Sequence, residues 1–382
     1  MPLRDWLGGG RTTVQDALRA AGVSDEELAA AQAAGTLELL AIERLVIPDE
    51  PEYTLDEVAE QVGIPAELLA LVWRALGFPD PRPDEAQFTE FDVNTLRSTA
   101  ELVAGGVVEP DMVLQMTRVI GSSLSTVAAA QVGAMLERRR QLEEADDELD
   151  PEEPFEVRAG LLLETMPPIM DYVWRRHLEG EARRRLVQII DQPDGSDRTV
   201  GFADLVGFTA MSQQVPDHQL ASIVDRFEAL AFDTIAKHGG RVVKMIGDEV
   251  MFVVDDAEAG VEIGLTLAET YHNEVNLSDV RVGLACGPVL EREGDLFGPT
   301  VNLASRIAGI AYPGGVVVSE CIHDGVGDHP DFEFHSIRAH TLRDIGRVPL
   351  WVARRRGESR SVLDEARLRR EIGRAWIEET FG

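Results

Sequence analysis

In Phe202-Ala203-Asp204-Leu205-Val206-Gly207-Phe208-Thr209, an apolar strand ends in a carboxylate and passes through a glycine-containing turn into a helix. A hard cation and a triphosphate suit that junction. Asp204 offers Mg²⁺ a ligand, and the backbone amides of residues 207 to 209 near the helix start can face phosphate oxygens. Strand-terminal aspartates are common, so this segment alone carries little. A second segment, Lys244-Met245-Ile246-Gly247-Asp248-Glu249, lies between two apolar runs and reads as a β-hairpin with Gly247 and Asp248 in its turn. It adds a second carboxylate, and two carboxylates on one or two Mg²⁺ ions are the usual apparatus of phosphoryl and nucleotidyl transfer. In the third segment, Asp295-Leu296-Phe297-Gly298-Pro299-Thr300-Val301-Asn302-Leu303-Ala304-Ser305-Arg306, a helix starts near Gly298 or Pro299. Asn302 and Arg306, four residues apart, then share one helix face. An amide and a guanidinium presented together suit a ribose and a charged phosphate.

The elements that must position these groups begin at Arg198, where short β-rich runs alternate with helices. Strands are expected at Thr199–Phe202, Arg241–Ile246, Val250–Val254 and Val280–Ala285, with helices at Asp217–Lys237 and Ala257–Asn273. This half is α/β or α+β. Leu18 to Arg140 reads instead as successive amphipathic helices separated by Pro- and Gly-containing turns. Between the halves, the acidic run from Glu143 to Glu153 reads as a solvated linker. Phe155 to Ile190 is helical in pattern, with a kink or break expected at Pro167 and Pro168 and a stiff connector from Val173 onward. Leu363 to Phe381 reads as a terminal helix. Cys286 and Cys321 are the only cysteines. They are too few for a disulfide framework and are expected as ordinary buried thiols.

Taken together, in order and spacing, the three segments resemble the catalytic domain of class III adenylyl cyclases over roughly residues 197 to 355. The resemblance implies a ferredoxin-like core that works as an antiparallel homodimer, with each site assembled at the interface. It implies that Asp204, Leu205 and Asp248 hold two Mg²⁺ or Mn²⁺ ions, and that Gly207, Phe208 and Thr209 face the phosphates. Lys244 and Asp295 match the purine-reading pair, while Asn302 and Arg306 match the transition-state pair. Arg343, in Thr341-Leu342-Arg343-Asp344-Ile345-Gly346, stands where some members carry a phosphate-binding lysine. Adenine offers an acceptor at N1 and a donor at N6, which a lysine and an aspartate complement, so the implied substrate is ATP and the product cyclic AMP. A catalytically silent nucleotide sensor on the same fold is the alternative. Diguanylate cyclases share the Gly-Asp hairpin turn but would lack Asn302 and Arg306.

A formal net charge of −32 over 382 residues repels phosphate backbones and anionic membranes, so nucleotide binding needs local cations and amides. Tyr53 through Val93 resembles the helix-turn-helix of MerR-type regulators. Residues 53 to 102 nevertheless carry ten acids and three bases, which argues against a nucleic-acid partner. No apolar run approaches a membrane span or a signal peptide, and the protein is expected in the cytoplasm. The order of helical half, connector and cyclase resembles the mycobacterial and other actinobacterial cyclases with an autoinhibitory N-terminal domain and a response to acid pH. His177, the only histidine before residue 218, lies on the connector. It is either a solvated surface side chain or, with crowded carboxylates, part of a pH response. The organisation expected is an all-α regulatory domain at 1–154, a connector at 155–196, an α+β catalytic domain at 197–356 and a C-terminal helix at 357–382.

Overall fold

The computed structural model describes residues 14–144, 155–191 and 197–357, apart from 21, 35, 38, 39, 41–43, 45, 47–49 and 276. Most of the acidic run and the expected C-terminal helix lie outside the described residues. Two compact units are present, Met1–Ala182 and Arg183–Gly382.

The first unit is helical, as expected: α1 Val14–Ala20, α2 Asp25–Ala34, α3 Leu55–Val62, α4 Ala66–Ala75, α5 Glu90–Ala104 and α6 Pro110–Glu144. Thr54 and Thr89 begin α3 and α5 with reciprocal capping boxes to Glu57 and Asp92, each satisfying two otherwise orphaned amides. A β-bridge between Tyr53 and Phe88 closes this module, whose small core is Val58, Ala59, Leu69, Phe88 and Val93. Helix α7, Phe155–Asp191, runs unbroken through Pro167 and Pro168, and the unit boundary falls within it. The expected break is therefore corrected: the helix is one element. Two prolines remove two amide donors, and the remaining turns of a 37-residue helix keep theirs.

The second unit is α+β, built on a seven-stranded sheet. Its elements are β1 Arg198–Leu205, α8 Phe208–Met211, α9 Asp217–Lys237, β2 Arg241–Ile246, β3 Glu249–Val254, α10 Ala257–Asn273 and β4 Val280–Gly287. There follow β5 Leu290–Arg292, β6 Asp295–Phe297, α11 Pro299–Ile310, β7 Val316–Ser319, α12 Glu320–Val326, β8 Phe332–Leu342 and β9 Gly346–Arg355. The strand order is β2-β3-β1-β4-β7-β9-β8, with β5 and β6 as a separate hairpin. Only β4 and β7 pair in parallel, joined by a crossover that contains α11. Strands alternate between two cores. Ala203, Leu205, Val280, Val282 and Leu284 face the layer that includes Phe227, Ile235, Val261 and Leu267 of α9 and α10. Val200, Phe202, Met251 and Val253 face the layer that includes Ala304, Ile307 and Ala308 of α11.

Gly283 sets how closely α11 approaches. A Cβ there would stand 2.1 Å from the Ala308 amide nitrogen and 2.6 Å from the Ala304 carbonyl oxygen, so the helix backbone lies directly on β4. Cys286 of β4 and Cys321 of α12 form a disulfide, with their Cα atoms 5.7 Å apart. This corrects the expectation of two buried thiols. Strand β4 and helix α12 pack together, which brings residues 35 apart in sequence into bonding reach, and Cys321 is exposed.

Candidate functional site

Asp204 is the penultimate residue of β1 and pairs across the ladder with Glu249, the first residue of β3. The Leu205 amide donates to the Asp248 carbonyl at 3.0 Å, holding the Gly247-Asp248 turn against the end of β1. The Val206 amide donates to the Asp279 carbonyl at 2.9 Å, which fixes the other side of the loop. Gly207 then caps α8 at φ +78°, a left-handed conformation that a residue with a Cβ adopts only under strain. This turn exposes Gly207 and Thr209 at the head of α8, with Phe208 partly buried.

The carboxylates crowd one another. Burial raises the Asp204 pKa above its ordinary value, the Asp248 charge raises it further, and the Arg281 guanidinium partly opposes both. Glu249 is pushed up to about 7, chiefly by burial and then by the charges of Asp204 and Asp248. A divalent cation would relieve this repulsion, and the donor set fits Mg²⁺, which is held through one or two carboxylates plus substrate phosphates. Among the described residues no three or more His, Cys, Asp or Glu side chains form a ready-made metal cage.

Lys244 Nζ stands 2.5 Å from Asp295 Oδ2, an ion pair that joins β2 to the start of β6. The other oxygen of Asp295 accepts from the Leu296 amide at 2.8 Å, so both ends of the carboxylate are oriented. The sequence placed these residues 51 positions apart, and the fold brings them into contact. Asn302 and Arg306 do share a face of α11, and it is the exposed one. Thr300, Ala304, Ile307 and Ala308 form the stripe turned to the sheet. Within one chain the helix start also lies far from Asp204: Thr300 sits against Gly287 and Pro288, whereas Asp204 lies opposite Arg281. Those positions on β4 are six residues apart, about 20 Å at the usual rise of a strand.

Arg343 lies in the turn between β8 and β9, its side chain 84% exposed and 3.5 Å from Asp344. Strand β8 is at the opposite edge of the sheet from β2, so one chain does not bring Arg343 to the carboxylates. His177 is exposed on α7 in the first unit. Sequence reasoning passed over Arg281, which faces Asp204 across β1 and β4 and whose buried Nε has no partner among the described residues. The signal was a charged residue interrupting the apolar run of β4. Glu249 was likewise passed over as a third acid beside the pair.

Residues 9–179 match the adenylate cyclase regulatory domain family, and residues 191–352 match the adenylate and guanylate cyclase catalytic domain family. An adenylate cyclase of Streptomyces coelicolor is 38% identical over 288 residues, covering 73% of this chain and 73% of the relative. The chain belongs to the class III adenylate cyclase family. An adenylate cyclase of Streptomyces griseus is 36% identical to this cyclase, over 72% of the chain and 69% of the relative. A pH-sensitive adenylate cyclase of Mycobacterium tuberculosis is 32% identical over 83% of the chain and 82% of the relative. The matches run through both units of the cyclase, so its helical half is a regulatory domain of this family. No described helix of the cyclase is long and apolar enough to cross a membrane.

Proposed function

We propose that this cyclase converts ATP to 3′,5′-cyclic AMP and pyrophosphate at sites shared by two antiparallel copies of the chain. The observation that carries the reading is the division of the candidate residues. Asp204 and Asp248 lie together at the end of β1 and the β2–β3 turn. Lys244 pairs with Asp295 on the hairpin next to α11, and Asn302 and Arg306 project from the outer side of that helix, whose start is far from Asp204. A substrate whose phosphates are held at Asp204 and Asp248 of one chain meets Asn302 and Arg306 on another.

In this reading Lys244 donates to adenine N1 and Asp295 accepts from the N6 amine. Guanine reverses both polarities, and each mismatched buried group costs about 1–3 kcal/mol. Asp204, Asp248 and the Leu205 carbonyl would hold two Mg²⁺ or Mn²⁺ ions. When bound, these ions would lower the pKa of the ribose 3′-hydroxyl and neutralise charge on the phosphates. Gly207, Phe208 and Thr209 turn backbone amides to phosphate oxygens, and Arg281 adds a cation beside them. Arg343 of the second chain serves the same end. Asn302 orients the ribose, and Arg306 stabilises charge on the α-phosphoryl group as pyrophosphate departs in line.

The helical half regulates this assembly, with acid pH as the stimulus and His177 or the neighbouring carboxylates of α7 as the titrating groups. The similarity to a relative named as pH-sensitive supports looking there. The test incubates the full chain with Mg²⁺ or Mn²⁺ and either ATP or GTP, at acid and neutral pH, and identifies the product. Cyclic AMP from ATP is expected, with little cyclic GMP from GTP. Equal yields of both would remove the base argument, and no cyclic product under any condition would remove the proposal. An unchanged pH profile in His177→Ala would leave only the carboxylates.

A further inference from the structure

Strand β2 slips by one residue against β3 between Val242 and Lys244. Residues three apart in a regular strand point to opposite faces, and a bulge returns them to the same one. Arg241 is opposite Val253 and Lys244 is opposite Met251, and both partners belong to the layer beneath α11. Two cations therefore project together toward the β5–β6 hairpin. Lys244 takes Asp295 at the start of β6. Arg241 donates to the Gly294 carbonyl in the hairpin turn at 3.3 Å and to Glu291 Oε1 on β5 at 3.1 Å. The second oxygen of Glu291 accepts from Arg185 at 2.8 Å, and Arg185 lies near the end of α7, within the second unit.

The hairpin thus has two ties to β2, of which only Lys244–Asp295 touches the base in the reading above. With three residues per strand, such a ribbon has little stability of its own, so its position depends on what holds it. Reading a base by hydrogen-bond polarity tolerates only tenths of an ångström. We infer that Arg241 and Glu291 are positioning residues for base recognition, holding the hairpin that carries Asp295 against the strand that carries Lys244. Arg185 is the point at which α7 reaches this tie. The inference rests on the assignment of Lys244 and Asp295 to the purine.

The experiment measures kcat and KM for ATP and GTP in the full-length protein and its variants. Arg241→Gln and Glu291→Gln are each expected to raise KM for ATP about three- to tenfold, and to lower the ATP-to-GTP ratio of kcat/KM by a similar factor. The value of kcat at saturating ATP stays within about twofold, because Asn302 and Arg306 are untouched. Arg241→Lys keeps the charge without the fork and falls between wild type and Arg241→Gln. Arg185→Gln shifts KM in the same direction by less. The charge-exchanged pair Arg241→Glu with Glu291→Arg moves KM and the ratio back toward wild type. A general loss of structure would instead lower kcat and melting temperature and leave the ratio unchanged, and that pattern overturns the inference. If Glu291→Gln does not fold, Arg241→Lys carries the test. Lys244→Ala and Asp295→Ala separate the two claims. An unchanged ratio in these defeats the base assignment, whereas a collapsed ratio in these with an unchanged one in Arg241→Gln and Glu291→Gln defeats only the positioning role.

Discussion

Lys244 and Asp295 are in contact within one chain, whereas Asn302 and Arg306 stand exposed on α11 with no side-chain partner among the described residues. The first pair is oriented by a strand, a hairpin and an amide; in the proposed reading the second meets its substrate on another chain. In the proposed reading, recognition is organised within the fold, and Asn302 and Arg306 act only when another surface meets them. On that reading, control that acts on pairing changes turnover without altering which base is preferred.

The sharpest way to break this contrast is complementation. Asp204→Ala and Asn302→Ala should each lower cyclic AMP formation at least about a hundredfold. Mixed in equal amounts, the two inactive proteins should recover about a quarter of wild-type activity, because half of the dimers are mixed and one of their two sites is intact. No recovery, in a mixture shown to exchange subunits, would mean that both groups serve one chain. The next effect in size belongs to the pre-formed pair: Lys244→Ala or Asp295→Ala should reduce ATP-over-GTP discrimination about ten- to a hundredfold, read as a ratio of kcat/KM.

Helix α11 offers a third test, since its seat on β4 is what aims the exposed pair. Gly283→Ala puts a methyl group into the helix backbone and should lower stability by about 1–3 kcal/mol, measured by chemical denaturation, with kcat falling more than KM rises. The smallest effect lies away from the site and checks the scaffold. Arg355 forms charge-assisted hydrogen bonds with Glu262 and Glu269, which tie the end of β9 to α10. Chiefly through the bonds from Arg355, the Glu262 carboxyl is held below its ordinary value of 4.5. A lowered carboxyl pKa stabilises the fold above the unfolded value and loses that contribution as pH falls through the folded one. Wild type should exceed Glu262→Gln in stability by no more than about 1 kcal/mol at pH 7, and the two should converge at more acid pH.

Much of the scaffold was legible in the sequence because its signals are local. The apolar runs at Arg241–Ile246 and Val250–Val254 with Gly247-Asp248 between them became β2, β3 and their turn, and Pro299 does begin α11. The roles proposed for Lys244 and Asp295 needed the family resemblance, since nothing local joins residues separated by a helix and several strands. Arg241, Glu291 and Arg281 escaped notice because their significance lies in cross-strand register and in one bulge, which leave no periodic trace. The prolines of α7 misled for a related reason: local rules give the penalty for a proline but not the length of helix around it that absorbs the defect. Arg343 was proposed from the resemblance alone, and the exposed turn that carries it adds no local support.

The Cys286–Cys321 bond reaches past the two elements it joins. Together with the intervening backbone it closes a covalent ring that contains β5, β6, α11 and β7, and hence Asp295, Asn302 and Arg306. Closing a loop with a sequence separation of 35 removes conformational freedom from the unfolded chain equivalent to about 3–4 kcal/mol. A single proteolytic cut inside the ring, for instance at the exposed Glu293-Gly294 tip, would leave both fragments linked until a reductant was added.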